Sequence, residues 1–546
     1  MRLTTFLLVP VICVSAGFIS SKFLSSDLPL LLDAQPVLAA PKAPAGNKAT
    51  DEFDKIAANK SKAVDDKIKA LDNVGEIDAA AARGLAATFL KIESWVDHGR
   101  LANAIIDTLE AVTNADALKE FRQEMQRGAD LHVRLRIAYF NAVANNDQSD
   151  DREAFLTGLT ASSITSLRVL AVRACGENRF KSGFDKVKNS LNNESWRVQL
   201  SAIEALVNYA ADPEYTDAAI EAIINFMGRI DGKLVEDCAK ALRDITGEDY
   251  GTDAEAWRAW FRQKQGNPDK GGAAPSGDSH KKRYRTATFD VDTFSKQLIF
   301  VIDASSSMRE PVDPDAVEET KKRVITGKKN GDGKDGDKKK ADKKEDDIDW
   351  SNVKTKLDLA KIELIRTVQA LSEDSMFNIV SFSTTVFKPW KPTLTQATQA
   401  NKEDAAKYIK GLATGDETNI FDSIYTAMEM AEKGYDDAAD PKKKGPVTGK
   451  KEVTACDTIY FITDGYATAG KYQGPKLTGP ATDEQKKYYG GEMDAMIKEL
   501  AHRNQVAKIT LHTVGVGPGH DTRTLPNLAK AMGGNYKAIG MGLAKK

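Results

Sequence analysis

The chain has 546 residues, 41% hydrophobic and 29% charged, which is too long for one ordinary domain and apolar enough for a substantial core. Its 77 basic and 79 acidic residues nearly cancel, so bulk attraction to nucleic acid or anionic lipid is excluded as an organising force. Four cysteines, Cys13, Cys175, Cys238 and Cys456, lie apart with no CxxC pair, which excludes a zinc knuckle or a dithiol redox motif.

Residues 1–40 read as a signal peptide or membrane anchor. Arg2 precedes the apolar run "LTTFLLVPVICVSAGFIS", and small-residue cleavage positions follow at Ala16 and Ala39. Ile12 is too large for the position before a lipidated Cys13. The rest of the chain is therefore expected outside the cytoplasm, in the periplasm, at the cell surface or secreted, either free or tethered through the N-terminus. Residues 41–52, rich in Pro, Ala, Gly and Lys, read as a linker.

From 53 to 265 the pattern is helical, with turns at "NNDQSDD" and "NYAADPEYTD". In "WRVQLSAIEALVNYA", Trp196, Leu200, Ile203, Val207 and Ala210 share one face. Three segments echo one another, "LRVLAVRACG", "WRVQLSAIEALV" and "KLVEDCAKALRD", at the period of a helical solenoid. This resembles a HEAT-type repeat domain and implies a stacked all-α array with an extended protein-binding face. Cys175 and Cys238 read as small buried thiols, a disulfide between them being the less favoured alternative. Thr252 and Glu255 have capping-box spacing ahead of the closing helix "AEAWRAWF".

Residues 266–284 form a Gly/Pro/Lys/Ser linker, and at 285 the rhythm changes to strand–helix alternation that runs to about 540, before a tail at 541–546. The strands are "QLIFVID", "FNIVSFS", "DTIYFITD" and "ITLHTVGVG", with helices between them. Near-continuous apolar strands alternating with helices predict a Rossmann-like α/β domain, its mostly parallel sheet covered on both faces. "YYGGEMD" reads as a loop leading into a helix. A Lys/Asp-rich insertion at about 310–350 is too poor in apolar residues to fold and is expected to be disordered.

Ligands on such a sheet bind beyond the carboxyl ends of its strands. Asp303, Ser305 and Ser307 stand there in "FVIDASSSM", Thr418 precedes a helix in "TGDETNIFDSI", and Asp464 ends the strand "FITDG". Two carboxylates and three hydroxyls make a hard-oxygen site suited to Mg²⁺ or Mn²⁺. One coordination position is left for a carboxylate from another molecule.

The DxSxS sequence at 303–307, the Thr at 418 and the Asp at 464, in that order, resemble the metal-ion-dependent adhesion site (MIDAS) of von Willebrand factor A-type domains. The resemblance implies that Ser305 and Ser307 bind the metal directly, that Thr418 binds directly or through water, and that Asp303 and Asp464 act mostly through water. Ser306 and Glu417 stand where that family commonly has glycine. Helical repeats joined to such a domain are similar to a class of bacterial envelope proteins.

Other signals are weak. "GPVTGKK" lacks the spacing and the Ser/Thr of a phosphate loop, and neither GxSxG nor HExxH occurs. The six histidines have no ligand spacing, and His520 with Asp521 reads as part of a turn. The expected function is non-enzymatic, cation-dependent protein binding, adhesion or scaffolding, with the partner's Asp or Glu completing the site. An accessory subunit of an ATPase or chelatase complex is the first alternative. A metal-assisted hydrolase is the second, weakened by the lack of any base or nucleophile around the five ligands.

Overall fold

The helical periodicity of the N-terminal half folds as two rows of stacked helices. In one row Gly99–Glu110, Val133–Asn146, Thr165–Asn178, Trp196–Tyr209 and Lys233–Thr246 pack each on the next. The shorter helices between them, such as Ala115–Glu124 and Phe184–Ser190, back this row. The three echoing segments lie in its last three helices, so their shared pattern is the pattern of one repeated contact. Ile105, Leu135, Val169, Ile203 and Leu242 are fully buried or nearly so in one continuous core. Trp257 closes the far end, with Tyr250 and Trp260 edge-on to its ring and its indole N–H donating to the Gly251 carbonyl at 2.9 Å.

The computed structural model describes residues 48–128, 131–266, 286–288, 291–327, 350–432, 456–475 and 481–541. The leader, most of the 266–284 linker, the "GPVTGKK" segment and the greater part of the Lys/Asp-rich insertion lie outside the described residues. Among the described residues, no helix is long and apolar enough to cross a membrane.

The C-terminal half begins with a hairpin, β1 (Thr286–Thr288) and β2 (Val291–Thr293). The main sheet contains β3 (Gln297–Asp303), β4 (Met376–Phe382), β5 (Thr395–Gln396), β6 (Thr458–Thr463), β7 (Thr510–Val516) and β8 (Tyr536–Ile539). Their order is β5-β4-β3-β6-β7-β8, parallel except for the edge strand β5. Alternation along β3 sends Leu298, Phe300 and Ile302 to one face, with Leu357 and Leu364 of the Lys356–Ala370 helix. Ile299 and Val301 go to the other, with Ile424, Met496 and Leu528 from the Ile420–Glu432, Asp483–Ala507 and Thr524–Ala531 helices. The chain leaves β3 for β4 on one side and later returns to β6 on the other. The topological switch point therefore lies between the carboxyl ends of β3 and β6.

The two halves belong to one compact unit, Pro44–Lys546, joined along the Asp483–Ala507 helix. Three helices of the array, Gly99–Glu110, Thr165–Asn178 and Trp196–Tyr209, meet that helix and its C-cap Lys508 in order along its length. Asn103 donates to the Ala495 carbonyl, Asp107 pairs with Lys498, Glu110 bonds His502, Arg173 donates to Gln505 and Glu204 pairs with Lys508. At the centre is Glu499, 1% exposed, 3.1 Å from Arg134, 2.8 Å from Lys471 and 2.5 Å from the Tyr472 hydroxyl. Burial works against the Glu499 charge, yet Arg134 and Lys471 hold its carboxyl below the ordinary glutamate value.

Several expectations are corrected. The helical region starts at Lys48, inside the expected linker. Asp253, not Thr252, caps the closing helix by accepting from the amides of Glu255 and Ala256. "YYGGEMD" is not a loop. It lies inside the Asp483–Ala507 helix, which starts at a capping box of Thr482 and Gln485. A Cβ at Gly490 would stand 2.4 Å from the end of the exposed Arg523 side chain, which pairs with Asp494. The insertion opens with an ordered helix, Pro314–Gly327, whose Ala316 and Val317 pack with Val353 and Leu359. Cys175, Cys238 and Cys456 are free, buried thiols. His520 is a turn residue. Its ring bonds the Gly517 carbonyl at 2.6 Å and the Tyr536 hydroxyl, while Asp521 accepts from the amides of Arg523 and Thr524.

Candidate functional site at the switch point

The parallel register of β3 and β6 pairs Ile302 with Ile462, so the residues that follow on each strand emerge side by side. Asp303, fully buried, accepts the Ser305 amide at 2.7 Å on one oxygen and the Thr463 hydroxyl at 2.5 Å on the other. The Ser305 and Ser307 hydroxyls are 3.1 Å apart, and Ser307 donates to Asp464 at 2.7 Å. Thr418, 4% exposed, does not bond these side chains directly. Gly465 places it: a Cβ there would stand 3.3 Å from the Thr418 hydroxyl and 3.4 Å from that of Ser307. The five expected residues thus gather at one point, four linked by hydrogen bonds and the fifth facing them across a glycine.

The supporting loops are fastened to each other. The Ser306 amide and hydroxyl both donate to the Asp416 carbonyl, at 3.0 and 2.7 Å, which gives a structural use to a position where glycine is common in the resembling family. Glu417 donates its amide to the Thr384 hydroxyl. The amides of Thr468 and Ala469 donate to the Thr418 carbonyl, and the Thr418 amide donates to the Thr468 hydroxyl. The same 465–474 loop ends on the helical array. The Asp97 amide donates to the Lys471 carbonyl at 3.2 Å, and Gln473 donates to the Asp97 carboxylate at 3.0 Å.

Three neighbours were not anticipated from the sequence. Thr463 is the hydroxyl on Asp303. Lys356 stands 2.8 Å from Asp464 and 2.5 Å from Glu310. Lysine in the first turn of a helix opposes the helix dipole, and that was the available signal at Lys356. Burial pushes the Asp303 carboxyl up to about 7; the Thr463 hydroxyl pulls it back, and the nearby Asp464 charge adds to the rise. Burial alone would lower the Lys356 ammonium, but Asp464 and Glu310 hold it above the ordinary lysine value.

The donor chemistry fits a small divalent cation. Every donor is an oxygen, and burial together with the Asp464 charge raises the cost of ionising Asp303 where a dication would relieve it. Among the described residues, no three His, Cys, Asp or Glu side chains gather as a metal-ligating group. The cluster at the switch point has only two carboxylates among its five expected ligands and relies on hydroxyls.

Residues 348–538 match the family model of the von Willebrand factor type A domain. The C-terminal region carries a von Willebrand factor A-type domain. Domains of this type are generally non-catalytic. The chain is 28% identical over 131 residues to inter-alpha-trypsin inhibitor heavy chain H3 of Mus musculus, covering 24% of this chain and 13% of that protein. It is 29% identical over 116 residues to heavy chain H4 of Bos taurus, covering 21% and 11%. It therefore spans about an eighth of the length of these curated relatives. A solved von Willebrand factor type A protein from Catenulispora acidiphila superposes with a TM-score of 0.24 at 13% identity, over 45% of this chain and 39% of that one. A mutant of the PilB minor pilin from Streptococcus sanguinis superposes with a TM-score of 0.26 at 10% identity, over 44% and 57%.

Proposed function

We propose that this protein is a non-enzymatic, divalent-cation-dependent binding protein that works outside the cytoplasm. The observation that carries this reading is the convergence of Asp303, Ser305, Ser307, Thr418 and Asp464 at the switch point of the sheet. Bound Mg²⁺ or Mn²⁺ would supply a Lewis-acidic centre able to accept a carboxylate oxygen from a partner protein. Ser305, Ser307 and Thr418 would offer hydroxyl oxygens. Asp303 and Asp464 would balance the charge and orient the serines. Tyr466, half exposed two residues after Asp464, would border the partner. The helical rows, read as HEAT-like repeats, would add a second protein-binding face and make the molecule a scaffold.

Calorimetric titration of Mg²⁺ and Mn²⁺ into the chain, beside Asp464→Ala, tests this reading. Saturable binding that is lost in the variant is expected, as is partner binding lost in EDTA and restored by Mg²⁺. Absence of binding in the unaltered chain at millimolar cation overturns it.

A further inference from the structure

The Lys356 ammonium lies against the acid expected to serve the cation. Its side chain is 6% exposed, and Asp464, 2.8 Å away, is wholly buried. Asp464 already takes the Ser307 hydroxyl on its other oxygen, so both carboxylate oxygens are engaged by donors of this chain. The approach is built into the backbone. The Lys356 stem crosses Gly517, where φ is +77° and a Cβ would stand 2.8 Å from Cε. Lys356 is the first residue of its helix, fixed by the Thr355–Asp358 capping box. Its amide also donates to the Glu310 carbonyl at 3.0 Å.

The second partner differs in kind. Glu310 is 62% exposed, and its carboxylate reaches the same ammonium from the solvent side. One lysine thus bridges a buried acid that faces the cluster and an exposed acid that does not. A dication and an ammonium sharing Asp464 would repel strongly in this dry setting. Both cannot hold it at full strength, and Glu310 gives the ammonium somewhere to go.

We propose that Lys356 is a tethered competitor of the divalent cation, holding Asp464 in the metal-free protein and moving toward Glu310 when the site loads. This rests on the cation-binding reading above. Lys356 then sets how much free cation the site requires, and it keeps the acid pair from standing uncompensated when cation is scarce.

The experiment is titration of Mg²⁺ and of Mn²⁺ into the full chain, Lys356→Met and Glu310→Gln by calorimetry, with the melting temperature of each recorded in EDTA. Lys356→Met is expected to bind cation about tenfold more tightly or better, a change of roughly 1.4 kcal/mol, and to melt lower in EDTA. Glu310→Gln removes the ammonium's alternative partner. It is expected to bind cation several-fold more weakly while melting close to the unaltered chain. Binding to the unaltered chain with equal or weaker affinity in Lys356→Met overturns the competitor role and leaves the cation site standing. If Lys356→Met does not fold, equal or tighter binding by Glu310→Gln overturns it in the same way. Absence of binding in all three chains overturns the cation site itself, and the competitor role with it.

Discussion

Two buried polar clusters in this molecule look alike and are balanced differently. Between the helical rows and the sheet domain, one glutamate, Glu499, meets two cations, Arg134 and Lys471, and a tyrosine hydroxyl. At the switch point there are two buried aspartates and one ammonium, which pairs with Asp464 alone of the two and is shared with Glu310. The first cluster closes its charge, because Glu93 also pairs with Lys471 at 3.4 Å, and Glu499 is held below the ordinary value. The second is short of positive charge, and Asp303 is pushed up to about 7. A buried cluster that closes its own charge belongs to the scaffold. One left short of charge at a sheet switch point is where the proposed cation would be received.

Removing the acid from each cluster should break the likeness most clearly. Glu499→Ala leaves Arg134 buried without its carboxylate and Lys471 with only Glu93 at 3.4 Å, and should cost about 3–5 kcal/mol in urea denaturation. Asp464→Ala leaves Lys356 with its exposed partner Glu310 and should cost clearly less. Equal losses would dissolve the distinction.

A second acid on the interface helix sharpens it further. Glu492 is buried with its nearest cation, Arg100, at 3.9 Å, and burial pushes its carboxyl up to about 7, with Arg100 opposing. Its folded value lies above the unfolded one. The folded state therefore holds the extra proton at acid pH, and stability is lost as pH rises toward about 7. Glu492→Gln should match the unaltered chain at pH 4 and exceed it at pH 8 by on the order of 3 kcal/mol, read from unfolding curves at the two pH values.

At the switch point, Mg²⁺ at a hundredfold excess over its Kd should raise stability by about 2.7 kcal/mol. Ser307→Ala should abolish most of that gain, as a melting series with and without EDTA would show. The smallest effect on stability belongs to Tyr466→Ala. This exposed change should stay within about 0.5 kcal/mol by denaturation while weakening capture of a carboxylate-bearing partner.

Much of the sheet domain was legible because its strands are continuous apolar runs. "QLIFVID" coincides with β3 at both ends, and "FNIVSFS" is displaced from β4 by one residue. The convergence of the five expected residues was legible because each sits at a strand end or near a helix start with a side chain that ordinary packing does not call for. The glycines of "YYGGEMD" misled because local sequence marks them as breakers, whereas they lie inside a helix that starts at the Thr482–Gln485 capping box and packs on the helical array. Lys356 and Glu499 were not legible as partners. Each reads as a solvated helix charge, and its counterpart comes from an element far away in the chain. Asp464 is 108 residues from Lys356, and Arg134 belongs to another half of the molecule.

The 465–474 loop begins beside Asp464, is stitched to Thr418 in its middle, and ends locked onto Asp97 and Glu499. In mechanical terms it is a short strap pinned at Thr418, Glu499 and Asp97. Tension applied to a carboxylate gripped at the sheet edge would pass along this strap into the stacked helices. A load taken up at the switch point would thus be borne by the whole array.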